Sequence, residues 1–182
     1  MIFGIHPVLE ALSSGRRDVE RILVAREGAG AGLGQLLRSA REAGIPVTHL
    51  AREVLGRKAG TRAVHQGVAA VVSPMSYADA DSICRIAAER RGILVVIDGV
   101  SDPGNLGAIV RTAAAVGACG LLLGGEGTVG VTPVVAKSSA GAVERIPIAR
   151  ELHLRRRLLA LRALGFRVAA QDSRGASPWA GF

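Results

Sequence analysis

The sequence predicts an α/β fold built on a parallel sheet, and three observations carry that reading. Residues Ile93–Ile97 are five aliphatic residues in a row with no polar alternation, as in a parallel strand covered on both faces. A loop from Asp98 to Gly104, with two Asp, one Pro and two Gly, follows it. Then come an alanine-rich helix from Leu106 to about Val116 and a second apolar strand, Leu121–Leu123. Upstream, residues 1–73 alternate strand and helix signals as β-α-β-α-β-α-β. Open sheets of this class place ligands outside the carboxyl ends of their strands, which points to the Asp98–Gly104 loop.

Taken in order, Ile2 and Phe3 start the first strand, and a helix follows with Pro7 in its first turn and Gly15 as its stop. Arg21–Ala25 read as a strand, and Glu27–Gly34 as a glycine-rich connector. The helix from Leu33 to Ala43 sets Leu33, Leu36, Leu37 and Ala40 on one face. Pro46–Leu50 give a strand, Ala51–Arg57 a short helix and Val68–Val72 the last strand of the unit. Ser73-Pro74 marks a linker, so the predicted division is 1–73 and 79–182. In the second unit, a capped helix from Asp79 to Arg91 turns Ile83, Ile86 and Ala87 inward. Asn105 is predicted to cap the alanine-rich helix. Ile146–Ile148 read as a strand, and Phe166–Ala170 as another. Between them, Glu151–Leu164 form an amphipathic helix with Leu152, Leu158, Leu159 and Leu161 on its apolar face. Arg155, Arg156, Arg157 and Arg162 lie on the basic face, as on a solvated helix.

A chain of 182 residues, 49% apolar, allows one large or two small domains with a real core. No run approaches a membrane span, and the first residues lack the regions of a signal peptide. Two cysteines without a CxxC partner predict reduced thiols and a cytoplasmic protein, and four scattered histidines offer no metal site. The net charge of +8 favours a polyanionic partner such as nucleic acid. Codon bias is the other reading of 21 Arg against 2 Lys, in keeping with the abundant Ala and Gly. An aromatic content of 3% argues against a base-stacking single-strand module.

The loop after Ile97 fails two familiar patterns. Gly99, Gly104 and Gly107 are spaced wrongly for G-x-G-x-x-G, and no Lys-Ser/Thr pair follows Gly104 as a P-loop requires. The segment Asp98–Thr112, D-G-V-S-D-P-G-N-L-G-A-I-V-R-T, closely resembles the first signature of the SpoU (TrmH-like) RNA ribose methyltransferases of the SPOUT superfamily. G-I-H-P-V near the start and V-H-Q-G-V near the end of residues 1–73 resemble the substrate-binding domain of that family, whose fold is similar to small ribosomal RNA-binding proteins.

The resemblance implies a 2′-O-ribose methyltransferase that uses S-adenosylmethionine on ribosomal RNA of the 23S type, with transfer RNA second and a homodimer as the assembly. It assigns Asn105 and Arg111 to the catalytic centre. By residue chemistry alone, Asn105 reads first as a helix cap and Arg111 as a surface contact to phosphate or carboxylate. Gly107, one turn before Arg111, leaves that side chain a free path back toward the loop. In S-S-A-G-A-V-E-R-I-P, Ser139, Gly141 and Glu144 are implied to order the loop and helix beside the active site. Arg57, Lys58, Arg62 and His65 are candidate RNA contacts, or else a solvated basic loop. Ala170 and Gln171 match positions that border the cofactor. Gly124–Gly130 contain a G-x-E-G pattern like the family's second signature, but they precede Lys137–Pro147, whereas in the family that stretch comes first. Glu126 is therefore left out of the site. The family pattern continues past Phe182 into a trefoil-knotted segment, so the SPOUT sheet domain is expected to be incomplete, the cofactor pocket largely missing and the chain alone inactive. A non-catalytic RNA-binding protein is the alternative, and a generic nucleotide-binding α/β protein a more distant one.

Overall fold

A computed structural model describes residues 1–27, 30–59 and 65–171. The first unit comprises β1 (Ile2–Phe3), α1 (Ile5–Ser14), β2 (Val19–Ala25), α2 (Leu33–Glu42), β3 (Val47–Leu50), α3 (Arg52–Ala59) and β4 (Val68–Val72). Its sheet order is β1-β4-β2-β3. Strands β2 and β3 run parallel with α2 as their crossover, whereas β4 is antiparallel to both neighbours. Helix α1 stops where Gly15 takes a left-handed conformation, as the sequence predicts.

The second unit comprises α4 (Ala80–Glu89), β5 (Leu94–Asp98), α5 (Pro103–Ala115), β6 (Gly120–Gly124), α6 (Pro133–Ser138), a 3-10 turn (Ala142–Glu144), β7 (Ile148–Arg150) and α7 (Leu154–Ala163). Its three strands pair in parallel in the order β5-β6-β7. Asp79 caps α4 as expected, its carboxylate accepting the Ser82 N–H.

Several boundaries differ from the sequence reading. The strand expected to be covered on both faces lies at an edge among the described residues, with Leu94, Val95 and Val96 half-buried and Ile93 exposed. The buried centre is β6, whose Leu121–Leu123 sit between two ladders and two helical layers. The strand predicted over Ile146–Ile148 starts two residues later. Pro147 has no N–H to give, and its carbonyl takes the Leu121 N–H before the ladder begins. Helix α7 starts at Leu154, because Glu151 still donates its backbone N–H to Leu123 and its carboxylate takes the His153 N–H. Leu152 and Leu159 are consequently exposed, and only Leu161 is fully buried on this helix. Ile86 likewise points outward, with Cys84 taking its place in the core. Phe166–Ala170 form no strand: the Phe166 N–H returns to the Leu161 carbonyl, and no neighbouring strand is paired there.

One apolar cluster runs through both units, from Ile2, Val8, Ile22 and Leu36 to Leu106, Val110, Leu121 and Ile148. Burying each such side chain contributes about 1.5–3 kcal/mol. A smaller cluster of Ile83, Cys84, Leu122, Ala149 and Leu161 seats α4 and α7 on the opposite face of the second sheet.

The seam between the units also holds a buried ion pair. Arg17, between α1 and β2, donates its Nε–H to Glu144 Oε2 at 3.1 Å, and both side chains are nearly or wholly shielded from solvent. The other oxygen, Oε1, lies 3.0 Å from the same nitrogen without a hydrogen bond of its own. Burial pushes the Glu144 carboxyl pKa up, and Arg17 pulls it back only in part. Removing one member of a buried pair leaves the other charge uncompensated, at a cost of about 3–5 kcal/mol. Arg17→Met should therefore destabilise strongly in urea denaturation, and Arg17→Met with Glu144→Gln should recover most of that loss. Additive losses in the double variant would show that the pair is not coupled.

Candidate active site

The site grows from the carboxyl end of β5. Asp98 ends the strand, the chain turns through Gly99, and Asp102 caps α5 with Oδ1 accepting the Asn105 N–H at 2.7 Å. The cap is thus Asp102 rather than Asn105. Pro103 takes the first helical position, where its missing N–H costs nothing. Asn105 is thereby placed in the first turn, exposed, with its side chain free of the capping task. A shallow groove lined by Gly99, Ser101, Asp102, Asn105 and Ala108 opens beside it.

Arg111 lies six residues further along the same helix, is exposed, and has no ion pair among the described residues. Gly107 does something different from clearing a path for it. A methyl group there would overlap Ser138 Oγ and come within 2.9 Å of the Ser139 backbone nitrogen. The bare glycine lets α5 lie directly on the end of α6, where Ser138 Oγ donates to the Pro103 carbonyl at 3.2 Å.

The segment after α6 continues that packing. Ser139 is fully buried and donates its hydroxyl to the Ala136 carbonyl. Gly141, at φ 83°, faces α1 so closely that a methyl group would lie 2.7 Å from Glu10 Cγ. Glu144 takes Arg17 as described. Gly141 and Glu144 seat the second unit on the first, and Ser138 and Ser139 carry the α5 contact on the other side of the same segment.

The sequence reading missed how the loop between β6 and α6 is held. Gly99 donates its N–H to Thr128 Oγ1 at 2.8 Å, and the same hydroxyl donates to the Gly124 carbonyl. The Val129 N–H reaches the Val100 carbonyl at 2.9 Å. Tyr77 accepts the Val131 N–H, and Arg150 donates to the Thr128 carbonyl while lying 5.4 Å from the Tyr77 ring. The Gly124–Gly130 stretch is therefore a wall against the signature loop. Glu126 sits at its exposed tip. Thr128, flanked by glycines and one turn past β6, was the available signal for this anchor.

The remaining predicted site residues lie apart from this centre. Arg57 and Lys58 are exposed in the last turn of α3. Arg62 lies outside the described residues. His65 is half-buried at the entry to β4, with Nδ1 accepting the Gly67 N–H at 3.1 Å. Burial, then Arg52 and Lys137, push its pKa below the usual imidazole value. Ala170 and Gln171 are exposed and belong to no ladder. Arg157 is withdrawn from the basic face of α7, tied to Glu151 and Asp81. Those two carboxylates hold its guanidinium firmly in the charged form. Among the described residues, no group of His, Cys, Asp or Glu is placed to hold a metal ion, and no helix is long and apolar enough to cross a membrane.

Two family descriptions match in succession. Residues 1–78 match RNA 2′-O ribose methyltransferase substrate binding, and residues 92–180 match the SpoU rRNA methylase family. A Staphylococcus aureus protein named as a TrmH-family tRNA/rRNA methyltransferase is 35% identical over 181 residues, which are 98% of this chain and 72% of that protein. The chain belongs to the SpoU (TrmH) family. A tRNA/rRNA methyltransferase of Mycobacterium avium is 37% identical over 175 residues, 96% of this chain and 56% of that one. Among solved structures, the SpoU methyltransferase AviRb of Streptomyces viridochromogenes, in complex with AdoMet, superposes with a TM-score of 0.67 at 27% identity. It is matched over 90% of this chain and 60% of its own length. The AdoMet-bound rRNA methyltransferase of Sinorhizobium meliloti gives 0.66 at 26% identity, over 88% of this chain and 56% of that chain. The chain therefore spans less than two thirds of these solved SpoU relatives.

Thr128 carries a testable part of this geometry. Thr128→Val keeps the shape and strands the Gly99 N–H, so stability should fall by about 1–3 kcal/mol. Hydrogen exchange at Gly99 should quicken more than exchange in β6. Unchanged protection at Gly99 would mean the hydroxyl does not anchor the loop.

Proposed function

We propose that this protein serves methyl transfer from S-adenosylmethionine to a ribose 2′-oxygen of RNA, with 23S-type ribosomal RNA as the first substrate class and transfer RNA as the second. The observation that carries the reading is the placement of Asn105 and Arg111. Both are exposed on one helix at the carboxyl end of a parallel sheet, within the signature loop and helix. Two of the solved relatives are described as bound to AdoMet, which supports the methyl donor.

The acceptor side can be derived from this chain. A 2′-hydroxyl is a weak nucleophile that must give its proton to solvent or an RNA phosphate as its oxygen takes the methyl group and the donor's carbon–sulfur bond breaks. An arginine stays protonated at any working pH, so Arg111 is assigned to stabilise the negative charge developing on that oxygen, not to accept its proton. Asn105 offers an amide donor and acceptor to orient the ribose, freed from capping by Asp102. Alignment of oxygen and methyl carbon supplies the rest of the acceleration.

The cofactor side fits poorly among the described residues. Ala170 and Gln171 are open to solvent, and the cleft between Asp98 and α7 is lined by Asp98 and by Leu154, Leu158 and Phe166 as well as Arg155, Arg162 and Arg167. An open edge cannot bury a small molecule as ligand pockets do. Within the same reading, the family assembly is a homodimer and its compartment cytoplasmic.

In a version of the protein that turns over, Arg111→Ala should cut methyl transfer at least about a hundredfold, the scale of losing one charge-stabilising donor. RNA affinity should change far less, and near-normal turnover would leave Arg111 as a surface contact. Glu126→Ala should leave turnover nearly unchanged, and a collapse there would move the site to the β6–α6 loop. Residues 1–182 by themselves should bind S-adenosylmethionine no tighter than about millimolar, about 4 kcal/mol. Calorimetric titration checks this, and micromolar affinity would mean that a second copy completes the pocket.

A further inference from the structure

A set of cations joins the two units on the side of the candidate active site. Helix α3 carries Arg52, exposed in its first turn, and its Gly56 lies against the His65 ring, where a methyl group would come within 3.6 Å of Nε2. His65 leads into β4, which pairs with β1 (Phe3↔Ala69) and takes the Gly4 N–H on the Val68 carbonyl. Helix α6 packs on β1 from the second unit, bringing Lys137 into the electrostatic surroundings of His65. The next residue, Ser138, bonds to Pro103 at the start of the signature helix. Arg52, His65 and Lys137 thus form steps between the first unit and Asn105.

Among the described residues, neither Arg52 nor Lys137 has a carboxylate partner, while Arg17, Arg145 and Arg157 all do. Burial and the two neighbouring cations hold His65 toward its neutral form in the free protein. An added anion would relieve all three groups together. A helix-to-helix seam only one residue from Pro103 suits an extended polyanion, whose regularly spaced charges can follow the steps, better than a single compact ligand.

We propose that Arg52, His65 and Lys137 form a phosphate track that leads an RNA backbone from the first unit onto the signature helix. Lys137 is the positioning residue at the seam. This rests on the RNA methyl-transfer reading above and adds to it the route by which RNA enters the site. RNA is favoured over an acidic protein because Arg52 and Lys137 sit on separate helices, each within electrostatic reach of His65, where successive phosphates of one backbone can meet them.

The sequence makes the test direct, because Lys58 and Lys137 are the only lysines. Lysine acylation read by mass spectrometry, with and without a mixed-sequence RNA hairpin, should show Lys137 protected several-fold by RNA. In anisotropy titrations, Lys137→Gln should weaken binding and lower the slope of log affinity against log salt by about 0.7–0.9, one phosphate contact. Lys137→Arg should restore both. Arg156→Gln, on α7, serves as the control for simple loss of charge. Thermal unfolding of each variant separates lost binding from lost fold, and protection of Lys137 in the parent protein needs no variant at all. An unprotected Lys137 with an unchanged salt slope would overturn the track while leaving RNA binding intact. Absence of salt-dependent RNA binding by the parent would overturn the methyl-transfer reading along with it. Protection by a polyglutamate peptide equal to that by RNA would overturn the assignment to a phosphate backbone.

Discussion

The close approach of α5 to the end of α6 is the constraint on which the second unit depends. Gly107 gives up a side chain so that Ser138 and Ser139 can reach the helix backbone. That contact fixes where α6 ends, and the turn after it delivers Gly141 to α1 and Glu144 to Arg17. A tightly packed interior transmits such shifts instead of absorbing them. The orientation of the signature helix and the seating of the first unit are therefore two results of one packing event.

The seam itself mixes two kinds of energy. The shared apolar cluster is non-directional and accepts small changes in angle. The Arg17–Glu144 pair is directional, and it contributes geometry more than stability, because desolvation offsets much of the attraction. Met75 Sδ beside Arg17, and the Glu10–Arg145 pair at the solvent margin, frame it. Together they hold the first unit in one register against the second.

Much of this architecture was legible in the sequence, for physical reasons that can be named. Helix stops at Gly15, the Asp79 cap and the β-α-β run around the signature follow from local backbone chemistry. Asn105 was misread as a cap because two acceptable cap residues, Asp102 and Asn105, lie three apart, and only the Pro103 position decides between them. The central strand was misassigned because an apolar run reports burial without saying which neighbour supplies it. Ile93–Ile97 and Leu121–Leu123 look alike until the ladder order is seen. Phe166–Ala170 has strand composition, yet a strand exists only where another backbone pairs with it. His65 is legible in the sequence as a candidate RNA contact, but its grouping with Lys137 is not, since Lys137 is far from it in sequence and close only through β1 and α6.

The wall formed by the β6–α6 loop has a consequence for how such a site changes over time. Its attachment runs through Thr128 and through backbone groups of Gly99, Val100 and Val129, not through the residues at its tip. Glu126 stands in solvent beyond those anchors, between Gly125, which packs against Asp98 and Gly99, and Gly127, which takes a left-handed conformation. Substitutions at Glu126 leave those anchors untouched while giving the tip of the wall a new shape and charge. Descendants of one such chain can thus diverge at this rim while inheriting an unaltered signature helix, with the variable and the invariant parts only a few residues apart.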